Sequence, residues 1–377
     1  MESAERGRRL AYLCLETPRP GQAAHTHVHE IINGLRRRGW QVDLITTEAG
    51  GASAGRSFVR RALDFAGAQA RLARRLSDFD AVYVRSHPAA VAASMVARMR
   101  GVPVFQEVNG KPTDLAVTYP RLRPVVPLLA WAYRSQLARA AHVFAVTDGL
   151  AAWVRLDARH DRVSVIPNGA NTDVFRPGVA STPIAGRYVI FVGGLVAWHG
   201  LDTMLAATRD ARWPSDVRLV VVGDGVERDK LEGQAAGERV LWLGRKPYED
   251  LPALVGGAIA ALCVIENPQG RSATGVAPIK MYEAMACATP VIVSDLPFQA
   301  DLVRRIEAGV VVPMAEPGAL AAAVAEMERA PAAETAAMGQ RGRAYVEQHA
   351  SWQARADETA RVMLDVLVAR RTGAAQR

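Results

Sequence analysis

Twelve short runs of β-branched and aliphatic residues recur along the chain, most of them separated by stretches with helical spacing, and this alternation leaves few folds open. Strands that return after a helix lie parallel. Parallel sheets are covered on both faces, so their strands read as nearly unbroken apolar runs. In the first half the runs fall at 10–15, 41–46, 81–86, 102–108, 142–147 and 163–167. The clearest helix between them, 25–38, closes on three arginines and Gly39, a cationic last turn with a glycine stop. A turn-rich stretch, NGANTDVFRPGVASTPIAGR (168–187), then interrupts the pattern and reads as an interdomain linker. The alternation restarts with runs at 188–193, 217–222, 240–244, 258–265, 290–294 and 309–313, and with helices beginning near 200, 226, 248, 278, 298 and 316. A last helix is expected from Ser351 to about Arg370, followed by a disordered RTGAAQR. At 377 residues the chain accommodates two α/β units. Ligands of open parallel sheets bind beyond the carboxyl ends of the strands, so function is expected in the loops there.

Composition narrows the function classes. The longest apolar stretch, LVGGAIAALCVI (254–265), is too short to span a membrane and reads as a helix end, a Gly-Gly turn and a buried strand. The charged start, MESAERGRR, and the short run Leu10–Leu15 do not make a signal peptide. Cys14, Cys263 and Cys287 lie far apart without metal-ligand spacing, as small buried residues of a reducing cytoplasm do. The expected location is therefore cytoplasmic, with peripheral contact at the inner membrane face left open. The net charge of +8 is uneven: residues 1–175 hold 24 Lys+Arg against 15 Asp+Glu, and the remainder is close to neutral. That asymmetry suits an anionic acceptor or membrane surface, or reflects an arginine-rich bias of composition. No nucleic-acid-binding motif is evident. His25, His27 and His29 lack the cysteine or carboxylate partners of a credible metal site, so no metal is expected.

The segment GVAPIKMYEAMACATPVIVSD (275–295) carries the chemistry. If 278–288 is helical, Lys280, Glu283, Ala284 and Cys287 share one face. A cation and a carboxylate one turn apart, with small residues beside them, can hold a diphosphate and a ribose, helped by the free N–H groups of the helix start. The same pair can be an ordinary surface Lys–Glu contact. Against that stands the scarcity of lysine: only Lys111, Lys230, Lys246 and Lys280 occur among 46 basic residues.

The stretch APIKMYEAMACATPVIVS resembles the donor-site motif of the family 4 retaining glycosyltransferases, and within them a subgroup with an S-P-x-K-x-x-E pattern. The resemblance implies the GT-B fold: two Rossmann-like parallel α/β domains facing across a cleft, over 1–175 and 176–350, with a helix at 351–370 crossing back to the first. It implies that Glu283 binds the ribose hydroxyls and Lys280 the diphosphate of a UDP- or GDP-linked sugar. The family's carboxylate eight residues before Glu283, which contacts the donor sugar, is Gly275 here, and Glu266 is the nearest upstream substitute. YVIFVGGLVAWHGLDTML (188–205) resembles the family's G-R-L-x-x-x-K-G loop around Gly193, with Gly194 and His199 where the Arg and Lys stand. A neutral imidazole at 199 can still donate one hydrogen bond to a phosphate; it can equally be a solvent-facing helix-start residue. VRLVVVGDGVERDKL (217–231) resembles the next strand and turn, and VIPNGANTDVF (165–175) the end of the first domain, where Asn168 and Gly169 shape the turn.

In the first half, PRPGQAAHTHVHEIINGLRRRGWQVDLIT (18–46) resembles the glycine loop and helix that approach the donor phosphates; of its glycines Gly21 is present. Asn109 in QEVNG stands where relatives carry a His that contacts the sugar, or else forms an Asn-Gly turn. Thr147 and Asp148 read as site residues or as a helix cap. Residues 56–76 set Arg56, Arg60, Arg61, Arg71, Arg74 and Arg75 among Phe58, Leu63, Phe65, Leu72 and Leu76, a basic amphipathic pattern that docks on membranes in lipid-acceptor relatives and is otherwise the solvated face of a packed helix. Together these imply sugar transfer with retention to a lipid-linked, saccharide or small-molecule acceptor, in cell-surface polysaccharide or glycolipid synthesis, with Lys280, Glu283 and Asn109 at the reacting groups and no cofactor. The alternatives are a natural-product glycosyltransferase, a nucleotide-sugar epimerase and a non-catalytic nucleotide-sugar-binding subunit.

Overall fold

In the computed structural model, which describes residues 7–16, 21–47, 58–114, 120–179, 184–234, 239–266, 270 and 272–375, every expected run carries a strand. The first six are β1 (Arg9–Cys14), β2 (Gln41–Thr46), β3 (Ala81–Arg85), β4 (Val104–Val108), β5 (His142–Ala145) and β6 (Val163–Val165). They form one parallel sheet in the order β2-β1-β3-β4-β5-β6. Helices α1 (Ala23–Arg37), α2 (Phe58–Arg74), α3 (Val91–Met99), α4 (Val126–Leu137) and α5 (Asp148–Asp157) connect them. Thr147 caps α5 by accepting the Leu150 N–H at 3.2 Å, which resolves that residue as a cap.

The second sheet contains β7 (Arg187–Val192), β8 (Val217–Val222), β9 (Val240–Gly244), β10 (Ala261–Cys263), β11 (Val291–Ser294) and β12 (Gly309–Val312). Its order is β12-β11-β10-β7-β8-β9, again parallel throughout. Its helices are α6 (Leu201–Ala207), α7 (Arg228–Gln234), α8 (Leu251–Gly256), α9 (Ile279–Ala286), α10 (Gln299–Ile306), α11 (Pro317–Arg329) and α12 (Ala332–Tyr345). Alternation along β7 shows how both faces are covered. Tyr188 and Ile190 enter one core with Tyr282 and Met285, and Val189 and Phe191 enter another with Met204 and Leu219.

The chain separates into two compact units. One is built from the described residues up to Glu16, from Val28–Pro167 and from Ala356 onward; the other from residues 21–27 and 168–355. Helix α13 (Trp352–Ala375) runs through residues 371–375, where a disordered tail was expected. Thr372 Oγ1 donates to the Val368 and Ala369 carbonyls, and Arg371 pairs with Asp80 at 3.5 Å, which ties the last turns down. Among the described residues, no helix is long and apolar enough to cross a membrane.

Candidate functional site

The second sheet turns back on itself between β7 and β10: the chain goes outward to β8 and β9, then returns to the other side of β7. Loops leaving two adjacent strands in opposite directions open a crevice beyond their carboxyl ends. Gly193 and Gly194 follow β7 at this point, Val264–Glu266 follow β10, and α9 begins close by with Lys280 in its first turn.

Lys280 is half-buried, but its Nζ is closed off from solvent and has no hydrogen-bond partner among the described residues. The ammonium lies over the Phe191 ring, 3.9 Å from the centroid. Burial lowers its pKa from the ordinary lysine value to about 8, with the Glu283 carboxylate working against that shift. Gly193 makes the space: a Cβ there would stand 2.9 Å from Nζ. Gly223, after β8, is equally constrained, since a Cβ would meet the Gly193 carbonyl oxygen at 1.9 Å. Glu283 is 8% exposed and accepts the Tyr248 hydroxyl at 3.2 Å. The surface Lys–Glu pair is thus overturned, because both charged groups are buried and Nζ reaches no carboxylate. Cys287 lies just past the end of α9 as its cap and is buried.

The remaining motif positions of this unit have different local roles. Gly194 is exposed, and among the described residues a built Cβ would approach only the Asp224 carbonyl, at 4.0 Å, so no described residue demands glycine there on steric grounds. His199 ends a 3-10 turn (Ala197–His199), and its Nδ1 lies 2.6 Å from the Gly194 carbonyl oxygen. A carbonyl only accepts, so Nδ1 carries the proton, and a neutral ring has already used its single N–H. A neutral His199 arranged this way offers a phosphate no second N–H. Glu266 accepts the Thr203 hydroxyl at 2.8 Å, which ties its carboxylate to the start of α6. Gly275 sits at φ +87°, and a Cβ would come within 3.1 Å of both Phe298 Cβ and the Pro297 carbonyl oxygen. The missing carboxylate therefore coincides with a backbone that disfavours any side chain.

Gly21, at φ +80°, belongs to this unit, as does His27, whose Nδ1 meets Asn168 Oδ1 at 2.7 Å. Asn168 in turn donates to the Ala277 carbonyl at 2.6 Å, fixing the backbone just before α9. Gly169 is set by packing, with a built Cβ 2.5 Å from the Ala350 carbonyl oxygen.

Asn109 belongs to the first unit, where the sheet order reverses between β1 and β3. Its amide donates to Glu107 Oε1 at 2.5 Å, so it is neither a bare turn residue nor an uncommitted amide. Glu107, 3% exposed, also accepts Arg85 at 2.8 Å and the Tyr83 hydroxyl at 2.8 Å. Burial opposes the charge on Arg85, and Glu16 and Glu107 outweigh it, leaving its pKa raised. Burial, then Glu107, pushes Tyr83 well above the usual tyrosine range. Arg85 and Glu107 are register partners on β3 and β4, and charged residues at the ends of VYVR and FQEV were the available signal for this cluster.

Comparison with known proteins gives the chemistry its context. Residues 24–174 match the family model described as Glycosyltransferase Family 4, and residues 181–345 the one described as Glycosyl transferases group 1. A phosphatidyl-myo-inositol mannosyltransferase of Mycobacterium leprae is 29% identical over 336 residues, covering 82% of this chain and 84% of that protein. The solved structure of a sucrose-phosphate synthase from Thermosynechococcus elongatus superposes with a TM-score of 0.78 at 20% identity, covering 96% of this chain and all of that one. Anabaena HepE in complex with UDP and glucose gives 0.68 at 18% identity, covering 94% and 98%. Two parallel α/β units matched along most of their length by these models and relatives make the chain a glycosyltransferase of the family 4 type with the GT-B fold.

Proposed function

We propose that the second unit binds a nucleoside-diphosphate sugar at the carboxyl ends of β7 and β10, and that the enzyme transfers the sugar with retention to a hydroxyl of a lipid-linked acceptor. The observation that carries this reading is the buried Lys280 ammonium, charged enough to need an anion and without a hydrogen-bond acceptor. A diphosphate at the start of α9 meets it together with the backbone N–H groups of the first turn. Glu283 takes the ribose hydroxyls, and Gly193, Gly194 and Gly21 let backbone approach the phosphates. Glu266, in place of a carboxylate at 275, is the group nearest in sequence for the sugar, and Asn109 is a proposed sugar contact by its place in QEVNG.

In the reaction the acceptor oxygen bonds to the anomeric carbon as the bond from that carbon to the diphosphate breaks. The acceptor's proton passes to the departing phosphate oxygen. Preorganised cations and N–H groups stabilise the charge that develops there, and the reading requires no divalent metal. A lipid-linked acceptor is favoured by the mannosyltransferase relative, whose name contains a phosphatidylinositol. It is favoured also by the basic first half, which suits peripheral residence at the inner membrane face during glycolipid or polysaccharide synthesis.

The test is to incubate the protein with UDP- and GDP-linked sugars, with and without a lipid extract, in excess EDTA. Product that requires both extract and donor supports transfer. Isomerised donor without acceptor indicates an epimerase, binding without turnover a non-catalytic subunit, and rescue by Mg²⁺ or Mn²⁺ overturns the metal-free mechanism.

A further inference from the structure

Among the described residues, the close favourable neighbour of the Lys280 ammonium is an aromatic ring rather than a hydrogen-bond acceptor. Phe191 is the fifth residue of β7, fully buried, and it presents its ring face to the ammonium at 3.9 Å. The negative face of an aromatic ring attracts a cation, and the attraction strengthens when water is excluded. The other ionisable groups facing Nζ are Cys263 on β10 and Glu283 on α9 itself. Cys263 is a neutral thiol, since burial pushes its pKa up to about 12. The Glu283 carboxylate accepts the Tyr248 hydroxyl, and Nζ makes no hydrogen bond to it. No hydrogen bond holds the lysine head where a diphosphate would arrive. Gly193 borders both groups, because a built Cβ would contact Nζ, at 2.9 Å, and Phe191 Cζ, at 3.3 Å.

We infer that Phe191 is a positioning residue of the donor site: its ring holds the Lys280 ammonium in place, and in its charged form, before the donor diphosphate binds. This rests on the reading that Lys280 meets a nucleoside diphosphate. The ring touches neither the reacting atoms nor the donor; it acts through the lysine. Burial works against the ammonium, so the ring face compensates for part of the solvation the lysine loses at this position. When a diphosphate arrives, the ammonium is already charged and set at the end of β7.

The experiment replaces Phe191 with mono-, di- and trifluorinated phenylalanines, which keep the ring's shape and progressively remove the negative potential of its face. UDP and GDP affinities are measured by calorimetry from pH 6.5 to 9.5. Near pH 6.5, where Lys280 is protonated in every variant, affinity should stay within about twofold of wild type. Near pH 9, affinity should fall stepwise with fluorination, by about twofold to thirtyfold overall. The alkaline midpoint of binding should move to lower pH in the same order. A structural role for the ring gives no such series, so affinities independent of fluorination at every pH overturn the inference. Phe191→Tyr should retain the wild-type profile, and Phe191→Leu should resemble the trifluorinated protein. Lys280→Ala separates the two claims. If it binds both nucleotides as wild type does, the diphosphate reading itself fails; if it loses binding while fluorination has no effect, only the role of Phe191 fails.

Discussion

A Cβ built on Gly193 would stand 2.9 Å from Lys280 Nζ, so the glycine after β7 and the lysine of α9 are sterically coupled. The nearest atom is the end of a flexible side chain, but Gly193 also holds φ +155°, so Gly193→Ala should both displace the ammonium and strain the backbone. A charge-assisted hydrogen bond contributes about 1.5–3 kcal/mol, and losing it should weaken nucleoside-diphosphate binding about tenfold to a hundredfold. Gly223→Ala is the contrast, because its Cβ would press on backbone, 1.9 Å from the Gly193 carbonyl oxygen. Both glycines hold a positive φ, so thermal melting should show a loss for each, the larger one for Gly223→Ala, whose Cβ also meets backbone. Equal losses would mean that Gly193 serves the backbone alone.

Donor binding should weaken above about pH 8. Burial lowers the Lys280 pKa to about 8, and a bound diphosphate favours the charged form, raising it again. Between the free and bound values, binding takes up a proton, so affinity falls by up to about tenfold per pH unit as pH rises. The stability term has the opposite sign. The unfolded lysine binds its proton more tightly than the folded one, so this residue destabilises the apo fold below about pH 8, and that cost disappears as pH rises towards the unfolded value. Lys280→Ala should abolish the alkaline limb of binding and cost turnover about 3 kcal/mol, the scale of one preorganised oxyanion donor. Calorimetry across this range checks the limb; a flat profile from pH 7 to 9.5 would contradict it.

Restoring the family's missing carboxylate should fail. Gly275 holds φ +87° with Phe298 and Pro297 against the place of a Cβ. A non-glycine residue held there carries about 1–3 kcal/mol of strain, before any repacking of Phe298. Gly275→Glu should therefore melt earlier than wild type without gaining turnover. A variant that is as stable and faster would show that this loop adapts and that the sugar is read from position 275 after all.

The strands were legible because parallel strands buried on both faces must be apolar along their length, as Leu10–Cys14 and Leu219–Val222 are. The run at 258–265 is the instructive shortfall, since β10 spans only Ala261–Cys263. Beyond it the Ser294 hydroxyl takes over the ladder's work, accepting the Ile265 N–H at 2.8 Å and donating to the Ile265 carbonyl at 2.6 Å. A side chain from another strand can end a ladder without leaving any mark in the run itself. The site divides in the same way. Lys280, Glu283 and the glycines stand out by type and spacing, whereas Phe191 looks like any core residue of a strand until the ring beneath the ammonium is seen. The commitment of His199 to the Gly194 carbonyl was equally hidden, because a backbone oxygen has no residue type.

The last prediction concerns the membrane contact proposed for α2. Ala68 and Leu72 bury one side of this helix in the core, while Val59 and Leu63, one turn apart, are 66% and 64% exposed. The arginines of 56–76 divide similarly. Arg56 lies outside the described residues. Arg71 donates to the Thr46 carbonyl at 2.5 Å, and Arg75 pairs with Asp43 at 2.5 Å and lies over the Phe79 ring. Arg71 and Arg75 therefore hold the helix to its own unit, and replacing them would confuse lost docking with lost fold. The informative variants are Val59→Asp with Leu63→Asp, which places acid on an exposed apolar face, and Arg74→Ser. Wild-type protein should co-sediment with phosphatidylglycerol vesicles at low salt and release as NaCl is added, because screening shortens the reach of surface charge. Arg74→Ser should weaken binding by about 1 kcal/mol, the contribution of one basic residue near an anionic surface. The double aspartate should abolish it at any salt, since it removes apolar burial and adds repulsion. Nucleotide affinity should not change in either variant, because Lys280 and Glu283 belong to the other unit. If wild-type protein stays in the supernatant when anionic vesicles are pelleted at low salt, α2 is an ordinary solvated helix, and a soluble acceptor replaces the lipid-linked one.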